Sequence, residues 1–156
     1  MQEIVEYRQK LMDRIEAAVQ DFRRACEAVP DPHRALEEGG WNVHQIAAHT
    51  RDVQRQVYGL RVRRSIEEQN PLFENFDQDE WMRAHYDPKE PMEWIIGEFS
   101  ASVARVLAQL RDLPPEAWSR PSRHETLGTG FTTQTWVERG LSHVEEHLAS
   151  IRSASG

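Results

Sequence analysis

Four stretches of this chain carry apolar residues at steps of three and four, each bounded by proline, glycine or a residue suited to capping a helix. That spacing is the mark of a helix with one buried stripe, so the chain is confined to folds in which four such stripes share a core. The first stripe is Ile4, Leu11, Ile15, Ala18, Phe22, Ala25 and Val29, which predicts a helix over about residues 3–28. Pro30-Asp31-Pro32 ends it, because two prolines remove amide donors and push their predecessors out of helical geometry. A loop to Gly39-Gly40 follows. The second helix is predicted over about residues 42–68, with Asn42 as cap, Gln45 closing a capping box and Trp41 stapled onto Ile46. Its buried face collects Ile46, Val53, Val57 and Leu60.

The third helix opens at Asp87-Pro88 or Glu90-Pro91 and covers about residues 91–112. Its stripe is Met92, Ile95, Phe99, Val103, Val106, Leu110 and Leu113, stopped by Pro114-Pro115. The fourth, over about residues 132–152, starts at Thr132 with Phe131 and Trp136 as a staple. Its stripe is Val137, Leu141, Val144, Leu148 and Ile151. Between these lie a long connection near residues 69–90, with one short helical turn expected around Asp79–Ala84, and a loop at 118–130 in which Gly128 and Gly130 serve as turn residues. No alternating pattern announces a strand. The expected fold is all-α: a single four-helix-bundle domain over residues 1–156.

Charge narrows the partners. A net charge of −7 argues against nucleic acid, and the one basic group, Arg61, Arg63 and Arg64, is expected to decorate the exposed end of a helix. No apolar run approaches a membrane span and Met1-Gln2-Glu3 opens an amphipathic segment, so a soluble cytoplasmic protein is expected. The single cysteine, Cys26, excludes an internal disulfide and sits beside Phe22 as a packed thiol.

The chemistry-bearing residues are histidines. His143 and His147 stand at i and i+4 of the fourth helix, on a row with Trp136 and Gly140 that lies beside the core stripe. Two imidazoles are thereby aimed at one point, and zinc or a neighbouring metal needs at least one ligand more. No histidine, cysteine, aspartate or glutamate follows His147, so the third ligand has to come from earlier in the chain. His49 projects inward from the flank of the second helix's stripe, whereas His44 projects to its polar side; His85 is expected as a surface residue of the long connection. Three imidazoles leave an open coordination position, the arrangement of a reactive metal. The residues alone leave another possibility open, that all three are core-edge histidines bonded to carboxylates or backbone. His143-Val144-Glu145-Glu146-His147 also matches the H-x-x-E-H string of inverted zinc peptidases, but Glu146 projects away from the two rings toward solvent.

Gly40-Trp41-Asn42-Val43-His44-Gln45-Ile46-Ala47-Ala48-His49, the stretch ending in Glu80-Trp81, the third helix closed by Leu113-Pro114 and Trp118, and the final His143-x-x-x-His147 together resemble the DinB-like superfamily of metalloenzymes. The resemblance runs from Trp41 to Ile151. It implies a bundle with up-down-down-up connectivity, commonly a homodimer, with a divalent metal on three histidines that map onto His49, His143 and His147. Some members of that family are transferases or isomerases that use mycothiol, bacillithiol or glutathione. The implied function is thus a transferase in which zinc or nickel activates a low-molecular-weight thiol toward a small-molecule substrate. The alternative is a non-catalytic dimeric bundle with a structural or sensory metal or histidine site.

Overall fold

The computed structural model describes residues 1–36 and 40–155; Gly39, read above as part of a loop, lies outside them. The chain runs through α1 (Gln2–Ala28), α2 (Val43–Val53), a π-helical turn (Gln54–Tyr58), α3 (Gly59–Glu67), β1 (Leu72–Phe73), α4 (Gln78–His85), α5 (Met92–Arg111), a 3-10 turn (Pro115–Ser119), β2 (Pro121–His124), β3 (Gly128–Thr132) and α6 (Thr133–Ser155). The bundle is made by α1, the continuous α2–α3 rod, α5 and α6. The two ion pairs Arg14–Glu145 and Asp21–Arg152 advance together along α1 and α6, so these helices are parallel. Phe22–Phe99 and Glu16–Arg111 advance in opposite senses, making α5 antiparallel to α1. The α2–α3 rod is antiparallel to α6, since Tyr58 meets Gly140 and Arg61 lies over Trp136. The order is up-down-down-up.

Local chemistry explains the helix ends. Asn42 accepts from the Gln45 amide while the Gln45 side chain accepts from the Asn42 amide, the reciprocal capping box. Thr132 Oγ1 accepts from the Thr135 amide at 3.2 Å at the start of α6, and Phe131 stacks on Trp136 with ring centroids 4.6 Å apart. Phe22, Ile95, Phe99, Trp136 and Ile151 are wholly buried where the four stripes meet. Truncating a phenylalanine at such a position typically costs about 3–5 kcal/mol.

Three expectations need correction. First, a three-stranded sheet of order β1-β2-β3 closes one end of the bundle, β1 parallel to β2 through Phe73↔His124 and β2 antiparallel to β3 through Ser122↔Phe131. The strands hold only two, four and five residues, and β2, which does alternate in burial, turns the polar Ser122 and His124 inward, so no apolar alternation marks them. Second, Leu60 is only half-buried and Arg61 is buried in its place, at 8 % exposure. The π-helical turn holds one residue more than an α-turn and so rotates everything after it. Gly59 permits that turn, because a Cβ there would stand 2.6 Å from the Gln54 carbonyl oxygen. Arg61 does not decorate a surface: its guanidinium lies 4.7 Å from the Trp136 ring and donates to the Glu74 carbonyl at 3.0 Å. Third, His44 is buried, as described below. Among the described residues no helix is long and apolar enough to cross a membrane.

Candidate metal centre

His49 leaves α2 one turn after Gln45, and its ring packs against Trp41 at 4.7 Å between centroids. On the facing helix, His143 and His147 come from successive turns of α6, with the Tyr58 ring 5.5 Å from that of His143. Gly140 allows this approach, since a Cβ there would meet Tyr58 Cβ at 3.1 Å. The glycine marks a neighbouring helix coming close.

The three imidazoles converge. His143 Nε2 stands 3.2 Å from His49 Nε2 and 3.0 Å from His147 Nε2, and the three rings offer ligand atoms that all lie within 4.8 Å of one another. Two nitrogens bound tetrahedrally to one ion at about 2.0–2.1 Å stand about 3.3–3.4 Å apart, so this spacing fits a shared first-row cation. Among the described residues no carboxylate or thiol joins the group. Glu146 is exposed and Glu145 pairs with Arg14 at 2.6 Å, so neither acid of the H-x-x-E-H string enters it.

Burial sets the charge of the rings. It pushes His49 down to about 4, with the neighbouring His147 adding to the effect, and pushes His143 down to about 3, with His147 and His49 adding. His147 is lowered by the same burial, against the opposing charge of Glu146. At neutral pH these are therefore uncharged imidazoles, the form that metal ligation needs.

The remaining histidines are engaged elsewhere. His44 was expected on a polar face, yet it is 1 % exposed. The 86–90 segment covers that face: His44 Nδ1 lies 2.6 Å from the Tyr86 hydroxyl, Nε2 lies 2.7 Å from the Glu90 carbonyl oxygen, and His33 stacks on the ring. His85 is exposed and stacked on Trp81, and His124 Nδ1 accepts the Thr126 and Leu127 amides at the turn into β3. Cys26 is 3 % exposed and its thiol is pushed up to about 12, first by burial, which makes it inert packing.

Two features near the triad were missed at the sequence level. Trp81 Nε1 donates to Asp52 Oδ2 at 3.1 Å, tying α4 to the helix that carries His49. Arg51 is buried and bonded to Asp52 and to Glu90, at 2.9 and 2.6 Å. Gly59 was the visible sign of the π-helical turn; the Asp52–Trp81 link had none, because it joins side chains 29 residues apart.

Comparisons with known proteins bear on this site. A sequence model described as the DinB superfamily matches residues 14–151. Two proteins of Oceanobacillus iheyensis, each named "Putative metal-dependent hydrolase", are similar to the chain. One is 31% identical over 124 residues, covering 76% of this chain and 67% of that protein. The other is 26% identical over 121 residues, covering 78% and 68%. Among solved structures, YfiT from Bacillus subtilis, described as "a probable metal-dependent hydrolase with an unusual four-helix bundle topology", superposes with a TM-score of 0.87 at 22% identity, over 96% of this chain and 86% of that one. At that identity the match speaks for the fold.

Proposed function

The chain belongs to the DinB superfamily, and on that premise we propose that it is a metal-dependent transferase in which His49, His143 and His147 hold a divalent zinc or nickel ion. The observation that carries this is the donor set, three neutral nitrogens with no fourth protein ligand among the described residues. Structural zinc sites close with four protein ligands, whereas three leave a place for an exchangeable group. When bound, the ion supplies an acidifying open position for a low-molecular-weight thiol, which becomes the nucleophile toward a small-molecule substrate.

The chain's own residues provide the setting. Trp41 fixes the His49 ring and Tyr58 flanks that of His143, so the donor nitrogens are oriented before any ligand arrives. A thiol ionises near pH 8.5 unaided and needs little help from a protein base. Water needs more, and of the two acids between the α6 ligands Glu146 is turned to solvent while Glu145 pairs with Arg14. Hydrolysis, with water in place of the thiol, is the second possibility; the names of the two Oceanobacillus proteins favour it. We further propose a cytoplasmic homodimer with neither nucleic-acid nor membrane partners, in keeping with the net charge of −7.

Elemental analysis followed by thiol titration of the cobalt-loaded protein tests the proposal. The expected result is one equivalent of ion per chain, lost in His147→Ala, and a thiolate-to-cobalt absorption band when thiol is added. Absence of the band with every thiol tried removes thiol transfer, leaving hydrolysis, scored with activated esters, or a structural or sensory ion.

A further inference from the structure

A cleft of about 280 Å³ is walled by Trp41, Gln45, Asp79, Met82 and Arg83. It adjoins the triad in two ways. Trp41, one wall, also touches the His49 ring at 4.7 Å. Gln45, another wall, precedes His49 by four residues on α2, a rise of about 6 Å. The opposite wall is α4. The Trp81–Asp52 bond ties it to the ligand-bearing helix, and its first turn is capped by Asp77 Oδ1, which accepts from the Asp79 and Glu80 amides. The cleft is therefore built on elements that are positioned relative to His49.

Its lining is unusual in charge. Asp79 and Arg83 stand four residues apart on α4, a spacing at which acid and base ordinarily pair. Here both are exposed into the cleft, and among the described residues neither side chain has a hydrogen bond or an ion pair. Met82 and Trp41 add apolar surface to the lining. Gln45 spends its Oε1 on the Asn42 amide and keeps its Nε2 donor. A lone anion in this cleft would face Asp79, and a lone cation would face Arg83. A ligand carrying both charges meets each with its opposite.

We infer that the cleft binds the zwitterionic α-amino-acid head of the thiol, with Arg83 and Gln45 Nε2 on its carboxylate and Asp79 on its ammonium. This rests on the thiol-transfer function proposed above. The size suits a head group, since sites for whole small molecules span about 300–1,000 Å³. The rise of about 6 Å from His49 to Gln45 favours a head separated from the sulfur by several bonds, as in a γ-glutamyl peptide.

Affinities of the cobalt-loaded protein for reduced glutathione and for N-acetyl-L-cysteine, read from the absorption spectrum, test this. The first probe has a distant zwitterionic head; the second has the sulfur without an ammonium. Solvent-exposed charge contacts are each worth up to about fivefold, so glutathione should bind about tenfold tighter. Asp79→Asn or Arg83→Gln should reduce that preference several-fold. The double variant should bring the two probes within about twofold, with N-acetyl-L-cysteine affinity and the circular dichroism melting curve unchanged. If neither thiol perturbs the spectrum, thiol transfer itself fails and the inference falls with it. If both bind but equally, or the glutathione preference survives in the double variant, thiol transfer stands and the assignment of the cleft is overturned.

Discussion

His44 and His49 stand five residues apart on α2, buried almost equally at 1 % and 2 % exposure, and differ only in what their ring nitrogens meet. The His44 ring has two unlike partners, the Tyr86 hydroxyl and the Glu90 carbonyl oxygen. The carbonyl only accepts, so Nε2 carries the proton and Nδ1 accepts from Tyr86. That ring has nothing left to offer a ligand. His49 Nε2 instead faces the Nε2 of His143, which in turn faces that of His147. At most one ring of each such pair can donate to the other, so the cluster is left with electron pairs directed at its own centre. Depth of burial does not separate structural from functional histidines here; the identity of the partner does.

The sharpest way to break this comparison is His143→Ala, since that ring stands between the other two. It should lower divalent-metal affinity by more than about a thousandfold, because even outer-shell changes typically cost 10–100-fold. The metal-free melting temperature should change little. Competition against a chromophoric chelator measures the first quantity, and affinity retained within tenfold would place the ion elsewhere. Next comes His44→Ala, which removes a buried ring and orphans two polar groups. A loss of about 2–4 kcal/mol is expected, a fall in Tm of roughly 5–15 °C, with one equivalent of metal still bound. Loss of metal together with a normal Tm would exchange the roles of the two histidines.

The third prediction concerns acid. The folded triad holds His49 at about 4 and His143 at about 3, below the ordinary 6.5. Between those values the unfolded chain binds protons that the folded one refuses. The metal-free protein should therefore keep this contribution to its stability above about pH 6.5 and lose it progressively as the pH falls toward 4. Denaturant midpoints at pH 7, 5.5 and 4.5 should descend in that order, with a shallower descent in His143→Ala. A flat series in the wild type would show that the rings are not held neutral.

Much of this was visible in the letters of the chain. The four apolar stripes gave the helices, and Asn42 with Gln45 marked the start of α2. Helical projection put His49, His143 and His147 on flanks that do face each other across α2 and α6. Projection says where a side chain points, however, and not what stands opposite. His44 pointed away from the core stripe, and only tertiary packing brought Tyr86 and Glu90 over it. Arg61 went wrong for another reason: a wheel drawn at constant pitch cannot contain a π-helical turn. The sheet escaped because its strands are held by register with distant segments, as in Phe73↔His124, and the inward residues of β2 are the polar Ser122 and His124, which leave no apolar period to read.

The π-helical turn at Gln54–Tyr58 carries one further consequence. In an unbroken α-helix Arg61 would lie about 120° around the axis from His49; with one residue absorbed by the turn, the offset falls to about 20°. The rod thus behaves as two gears keyed to one shaft, the upper meshing with the histidines of α6 and the lower with Trp136. Deleting a single residue between Gln54 and Tyr58 would barely alter hydrophobicity, yet one gear would have to slip. In this segment the count of residues is constrained more tightly than their identity, and a chain that kept every ligand but lost the extra residue would be out of step with itself.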